Sequence, residues 1–203
     1  MKKLRDLRYR AYVGPANKYD LISANQFNLL VKLGLRDTNY LLDIGCGSLA
    51  GGRLLIPYLL PGRYYGIEPN QWLIKEGIKN ELGDDMIAIK HPTFSNDAGF
   101  NLSAFNRKFD FVLAQSIFSH ASQKQINKCL LEARNVMVEH SLFVFSFAEG
   151  EEDSLEDDWV YPDFVPYSRK LIKQLTKHHG FNCEVFEWPH PCLQTWMVAS
   201  IET

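Results

Sequence analysis

At about 150 residues per domain, 203 residues make one domain with additions, long enough to bury a core without disulfides or a structural metal. Hydrophobic residues at 46% and charged residues at 23% are those of a soluble globular chain. Lys+Arg 22 against Asp+Glu 24 leaves a net charge of -2, without the basic field on which nucleic-acid binding rests.

No apolar run approaches the roughly 18 residues of a membrane span. The basic start, Met1 to Arg8, has no apolar core behind it, so no signal peptide is expected. Cys46, Cys129, Cys183 and Cys192 are widely spaced without a CxxC pair. Buried free thiols in a reducing compartment, by default the cytoplasm, are expected, and no metal. A helical segment, residues 1–38, is expected to pack on a core domain of residues 39–203. Within it Ser23–Gln26 precedes Phe27, Leu30 and Val31 as a helix start, with Gly34 as the stop. From Tyr40 onward short apolar runs alternate with helical patterns, as in α/β layering. Strands are expected at Tyr40–Ile44, Tyr64–Ile67, Met86–Ile89, Phe109–Ala114 and Leu142–Phe147. The last is almost wholly apolar, as a strand covered on both faces is. Ser122–Gln125 reads as a capping box ahead of Ile126, Cys129, Leu130, Ala133 and Met137 at helical spacing. Ser168 caps a further helix carrying Leu171, Ile172 and Leu175, with Gly180 placed to end it. Phe181–Trp188 and Thr195–Ile201 are joined by too few residues for a crossover helix, so they pair antiparallel.

Between the first strand and the next helix lies Leu42–Arg53, with Gly45 and Gly47 free to let the backbone approach a ligand. Gly45-x-Gly47-x-x-Ala50 satisfies the relaxed dinucleotide pattern, and Glu68 stands downstream where a ribose would be held. An NAD(P)-dependent oxidoreductase is therefore one reading. Asp43 argues for another. A carboxylate beside the turn opposes a pyrophosphate and suits a ligand with a cationic centre and an ammonium group. S-adenosylmethionine (SAM) has both, and a ribose whose hydroxyls Glu68 can accept. Two charge-assisted bonds there contribute about 3–6 kcal/mol.

Leu41–Gly47 resembles the first motif of the class I SAM-dependent methyltransferases. Tyr65–Asn70 is similar to the acidic end of their second strand, and Phe109–His120 to their fourth-strand motif. Pro166–Phe181 resembles the helix before their closing hairpin. The resemblance implies a Rossmann-like three-layer α/β sandwich, with a mostly parallel seven-stranded sheet ending in an antiparallel hairpin. It implies that Asp43 orders the glycine turn and the amino end of SAM, and that Gly45, Cys46 and Gly47 let the backbone come close. Glu68 would hold the ribose, Pro69 and Asn70 would shape the adenine side, and Ala114–Gln115 would lie under the methionine moiety. Two departures stand out. The family's third glycine falls at Leu49, and the third strand lacks its acidic end, Asp97 being out of register. Phe94 is the candidate for the adenine face instead.

Methyl transfer is an in-line displacement that asks the enzyme chiefly to place the acceptor in a dry pocket. A base is needed only when the acceptor must lose a proton early. His120, after the fourth strand, is either a turn-packing residue or that base. His190, held between Pro189 and Pro191, is a second catalytic candidate. Tyr9, Tyr12, Tyr19 and Gln26 belong either to a lid over the cofactor or to simple packing, with Tyr19 and Gln26 the better cofactor-site candidates. Tyr161 and Tyr167 are candidates for the acceptor pocket. Seven acidic residues within Glu149–Asp158 form a solvated loop or a rim that favours a neutral or cationic acceptor. The basic cluster Lys2, Lys3, Arg5, Arg8 and Arg10 pulls the other way. The expectation is a SAM-dependent methyltransferase acting on oxygen or nitrogen of a small molecule, without nucleic acid or membrane as partner. A non-catalytic SAM-binding protein is the remaining alternative.

Overall fold

Apolar runs bounded by glycine and polar turns fold as strands, and the amphipathic stretches between them as helices, throughout residues 8–202, which the computed structural model describes. Lys2, Lys3 and Arg5 lie outside these residues. The strands are β1 (Leu41–Ile44), β2 (Tyr64–Ile67), β3 (Thr93–Ser95), β4 (Phe109–Ala114), β5 (Met137–Glu149), β6 (Pro166–Tyr167), β7 (Phe181–Val185) and β8 (Thr195–Ile201). The helices are α1 (Arg8–Tyr12), α2 (Tyr19–Lys32), α3 (Gly52–Tyr58), α4 (Gln71–Gly77), α5 (Asp84–Lys90), α6 (Gln123–Val136) and α7 (Arg169–His178). The pairings are those of a mostly parallel sheet with an antiparallel end. β2/β3, β1/β4, β4/β5 and β5/β6 run parallel, and β5/β8 and β7/β8 antiparallel. The two-residue β6 was not foreseen from sequence. Among the described residues no helix is long and apolar enough to cross a membrane, and no group of acidic, Cys and His side chains could hold a metal ion.

Contacts divide the chain into two units. The first takes the chain up to Asn39 together with Gly45–Asp97. In it β2 and β3 pair with Tyr65 opposite Thr93 and Ile67 opposite Ser95. Tyr9 of α1 is buried against Tyr19 of α2 and Leu73 of α4, with Val13 and Ala50 packed on them. This ties the leading segment to the unit by apolar burial, worth roughly 1.5–3 kcal/mol per large side chain. The second unit takes Tyr40–Ile44 and everything from Ala98 onward. Its strands lie in the order β1-β4-β5-β8-β7. Phe143, Phe145 and Phe147 of β5 are fully buried, and Phe118 packs on the first two. That accounts for the unbroken apolar run in the sequence.

Both predicted caps are present. Ser122 accepts from the Gln125 N–H while the Gln125 side chain accepts from the Ser122 N–H, and Ser168 accepts from the Leu171 N–H. Three expectations need correction. Met86–Ile89 is not a strand but lies in α5, which is closed by His91 in the left-handed region, and Ile89 is exposed. Its apolar residues have no strand to pair with, because Thr93–Ser95 takes the place beside β2. Secondly, α2 begins at Tyr19, so Ser23 and Gln26 are buried inside a helix and do not cap one. Finally, Met137 starts β5 and is not part of α6.

Candidate functional site

The glycine turn in the first unit is set by hydrogen bonds from its own amides. Gly45 N–H and Cys46 N–H both donate to Ile67 O, at 2.8 and 3.0 Å. Gly45 and Gly47 take φ of 70° and 53°, values that cost glycine little. Leu49 takes φ 63° as well, in the position where the family pattern has a third glycine. Its left-handed backbone carries the roughly 1–2 kcal/mol penalty of a Cβ. The side chain is wholly buried and packs where Gly52 and Gly77 leave room, since a Cβ on either would lie 3.1 Å from Leu49 carbons. Packing thus replaces the missing glycine. The turn is covered by the chain after α1: a Cβ at Gly47 would lie 2.8 Å from Val13 Cγ1.

Glu68 follows β2 and is 7% exposed. Its carboxylate accepts from Gly47 N–H at 3.1 Å on Oε2 and from Asn70 N–H at 2.8 Å on Oε1. Burial raises its pKa, while these backbone bonds and one from the Asn70 side chain hold it down. A carboxylate has about four acceptor positions, so three bonds leave one for a ribose hydroxyl, and the exposed Asn70 side chain can give up a second. Pro69 and Asn70 are exposed beside it. Tyr19 is buried and donates its OH to Ser48 O at 2.9 Å, so it braces the turn from behind. Gln26, also buried, packs with Oε1 2.6 Å from a Cβ position on Gly51, at the start of α3. Phe94 lies against Gly66, whose added Cβ would be 3.0 Å from its ring, and against Tyr64. Asp97 donates its N–H to Ser95 Oγ.

An ionic cluster in the same unit was not foreseen. Glu81, with a side chain only 5% exposed, accepts from Arg10 Nε at 2.7 Å, from Arg53 Nη1 at 3.0 Å and from Tyr9 OH at 2.5 Å. The guanidinium of Arg10 lies 4.5 Å from the Tyr19 ring centre and that of Arg53 5.5 Å, distances at which cation–π attraction adds to the hydrogen bonds. These residues come from four places in the chain. Nothing local in the sequence marks them.

In the second unit Asp43, at the end of β1 opposite Leu113, is 3% exposed. Ala114, the last residue of β4, is fully buried, and Gln115 follows it half-buried. His120 Nδ1 lies 2.7 Å from Asp163 O. A carbonyl only accepts, so Nδ1 carries the proton and Nε2 the lone pair. Trp159, Tyr161 and Phe164 surround the ring at centroid distances of 5.6, 5.0 and 4.7 Å. Burial pushes the pKa of His120 down, so the imidazole is neutral near pH 7. Tyr161 thus joins His120, while Tyr167 donates its OH to Ala121 O. Of the acidic loop, Glu149 pairs with Arg169 and Asp153 accepts from Ser168 N–H, while Glu151, Glu152, Glu156 and Asp157 are exposed. His190 belongs to a separate network. Its Nδ1 accepts from Cys192 N–H at 3.0 Å, and its Nε2 is 3.2 Å from the Gln115 amide. Sequence reading passed over Ser116, Ser146 and Gln194, which complete that network, because short polar side chains carry no pattern of their own.

No family model and no curated protein matches the chain. Solved structures do resemble it. Magnesium protoporphyrin IX methyltransferase from Synechocystis PCC 6803, with bound SAM, aligns over 99% of this chain and 92% of its own, with TM-score 0.70 at 14% identity. The glycopeptide N-methyltransferase MtfA, complexed with SAM, aligns over 88% and 94%, with TM-score 0.67 at 10% identity. A SAM-dependent methyltransferase from Clostridium acetobutylicum ATCC 824 aligns over 91% and 92%, with TM-score 0.63 at 14% identity. At such identities the likeness establishes the fold, a Rossmann-like α/β architecture that those methyltransferases share.

Proposed function

We propose that this chain is a class I SAM-dependent methyltransferase that methylates oxygen or nitrogen of a small-molecule acceptor. The observation that carries the reading is Glu68: a buried carboxylate, tied to the amides of Gly47 and Asn70, with one acceptor position left for a ribose hydroxyl and a second held only by the exposed Asn70 side chain. Gly45, Cys46 and Gly47 would take the nucleoside's approach and Asp43 the ammonium end. Pro69 and Asn70 would flank the adenine, and Ala114 and Gln115 the methionine portion. When bound, SAM supplies a sulfonium methyl group open to in-line displacement. The chain's own work is to orient the acceptor, exclude water and receive the acceptor's proton.

His120 fits the last task. Asp163 O fixes the proton on Nδ1 and leaves Nε2 as the basic nitrogen. Burial keeps the ring neutral, and a base must start unprotonated to act. The apolar rings of Trp159, Tyr161 and Phe164 suit a flat, largely apolar acceptor. The exposed carboxylates of residues 151–157 disfavour a polyanion. Neighbouring structures that carry SAM, with names that specify small-molecule acceptors, support the same reading.

Calorimetry with S-adenosylhomocysteine tests it. The wild type should bind that compound and not NAD, and Glu68→Ala should weaken binding more than tenfold, given about 3–6 kcal/mol at stake. His120→Gln should leave that affinity in place and lower turnover with whichever phenol or amine in an acceptor panel releases S-adenosylhomocysteine. Binding of NAD alone would overturn the reading.

A further inference from the structure

We propose that the indole N–H of Trp196 is a binding group for the acceptor. It takes a neutral carbonyl oxygen carried on the acceptor's ring, and so selects phenols or aryl amines that also bear a ketone, ester or amide. The inference rests on the methyltransferase reading and names the substrate class of that site.

Two buried side-chain donors among the described residues have no hydrogen-bond partner, Nε1 of Trp188 and Nε1 of Trp196, and both lie in the closing hairpin. Trp196 is 1% exposed. A buried donor with nothing to bond forfeits its hydration without return, and such a group in a folded protein calls for a role. An indole nitrogen donates and never accepts, so its partner is an oxygen lone pair. The polar side chains beside it are committed to one another. Ser146, directly opposite Trp196 on β5, accepts from Ser116 N–H at 2.8 Å and donates to Gln194 Oε1 at 2.7 Å. Gln194 Nε2 in turn donates to Ser116 Oγ at 2.7 Å and Ser119 Oγ at 3.3 Å.

Of the two indoles, Trp196 is the one beside the residues that follow β4. Ser146 is one position beyond Phe145, which pairs with Ala114 at the end of β4, and Ser119 precedes His120. The indole therefore stands at the carboxyl edge of the parallel strands, where open α/β sheets take their ligands. The charges around it select a neutral oxygen. No Lys or Arg follows Lys177. Arg169 reaches this end of β8 only through Glu149, which accepts from Thr195 on the opposite face of the strand. A carboxylate at the indole would be desolvated without a counter-charge, whereas a carbonyl has only one hydrogen bond to replace. The His190 ring packs on the indole at 5.1 Å between centres. It is carried by the turn outside β7 and β8, in which Leu193 is 93% exposed with φ 58°. A shift of this turn draws the imidazole off the indole and admits the oxygen.

The full chain, labelled with ¹⁵N-tryptophan and loaded with S-adenosylhomocysteine, gives the readout. Its Trp196 indole signal, identified by elimination with Trp72→Phe, Trp159→Phe and Trp188→Phe, should move downfield on addition of 4-hydroxyacetophenone. It should stay in place with 4-ethylphenol, which matches that ketone in size without the oxygen. Calorimetry should find the ketone at least about tenfold tighter than 4-ethylphenol in the wild type and within about twofold of it in Trp196→Phe. 4-Hydroxybenzoate should bind no tighter than 4-ethylphenol. The wild-type spectra decide even where Trp196→Phe does not fold. A Trp196 signal that ignores the ketone, or moves equally with 4-ethylphenol, would overturn the proposal. So would 4-hydroxybenzoate as the tightest of the three, which would make this an anion site, and so would binding of none. Each of these leaves S-adenosylhomocysteine affinity intact, and absence of that affinity would instead overturn the methyltransferase reading.

Discussion

At the scale of single residues, pattern and physics separate at Leu49 and His120. The glycine turn was legible because Gly45 and Gly47 are the residues that take positive φ without strain. Leu49 was legible only as an anomaly, since its compensation sits in Gly52 and Gly77, one of them well downstream. His120 could be placed at the end of β4 from sequence, but its tautomer depends on Asp163 O and its pKa on burial among distant rings. That burial makes a prediction with a definite sign. A histidine held below its ordinary value stays neutral in the fold while the unfolded chain protonates near pH 6.5. Its contribution to stability is complete above that pH and is lost as pH falls toward the folded value. His179 is lowered too, so the comparison must be with a variant that changes His120 alone. Thermal melts at about pH 7.5 and about pH 5.5 should show the wild type losing more stability than His120→Gln. Equal losses would mean that His120 titrates as it does in the unfolded chain.

Among the elements, the caps of α6 and α7, the runs of β4 and β5 and the closing hairpin were read correctly, while the start of α2 and the run Met86–Ile89 were not. The capping box of α6 and the cap of α7 are written in adjacent residues, and β4 and β5 in apolar runs long enough to exclude an exposed helix. The run Met86–Ile89 is equally apolar but short, and at that length periodicity does not separate strand from helix. Helix α4 depends on a partner. Gly77 ends it, and a Gly→Ala change in a helix ordinarily stabilises by about 1 kcal/mol. Here the added Cβ would lie 2.4 Å from Ser48 O and 2.8 Å from Ser48 C, backbone atoms of the turn itself. Overpacking of this kind costs about 1–3 kcal/mol. Gly77→Ala should therefore destabilise the protein in urea titrations and weaken S-adenosylhomocysteine binding at the same time. A gain in stability would mean that α4 and the turn move apart without cost.

For the whole molecule, the sequence suggests a leading segment of residues 1–38 packed on a core of residues 39–203, and by contacts the chain falls into two interleaved units. The backbone passes from the first unit to the second after Asn39, returns at Gly45 and leaves again after Asp97. Neither unit is a continuous stretch of chain, and β1 belongs by its pairing to residues more than sixty positions downstream. Because each unit is assembled from two stretches of chain interrupted by the other, one cooperative transition is expected and not two. Tryptophans report on both units, Trp72 on the first and Trp159, Trp188 and Trp196 on the second. Trp72→Phe and a variant retaining Trp72 alone should melt at the same temperature by fluorescence and by far-ultraviolet circular dichroism. S-adenosylhomocysteine at a hundred times its dissociation constant adds about 2.7 kcal/mol. For a chain of this length that is a rise of roughly 5–11 °C, and it should appear equally in both reporters, because a ligand held through Glu68 stabilises everything that unfolds with it. A shift confined to Trp72 would show that the units unfold independently and would refute the cooperative fold.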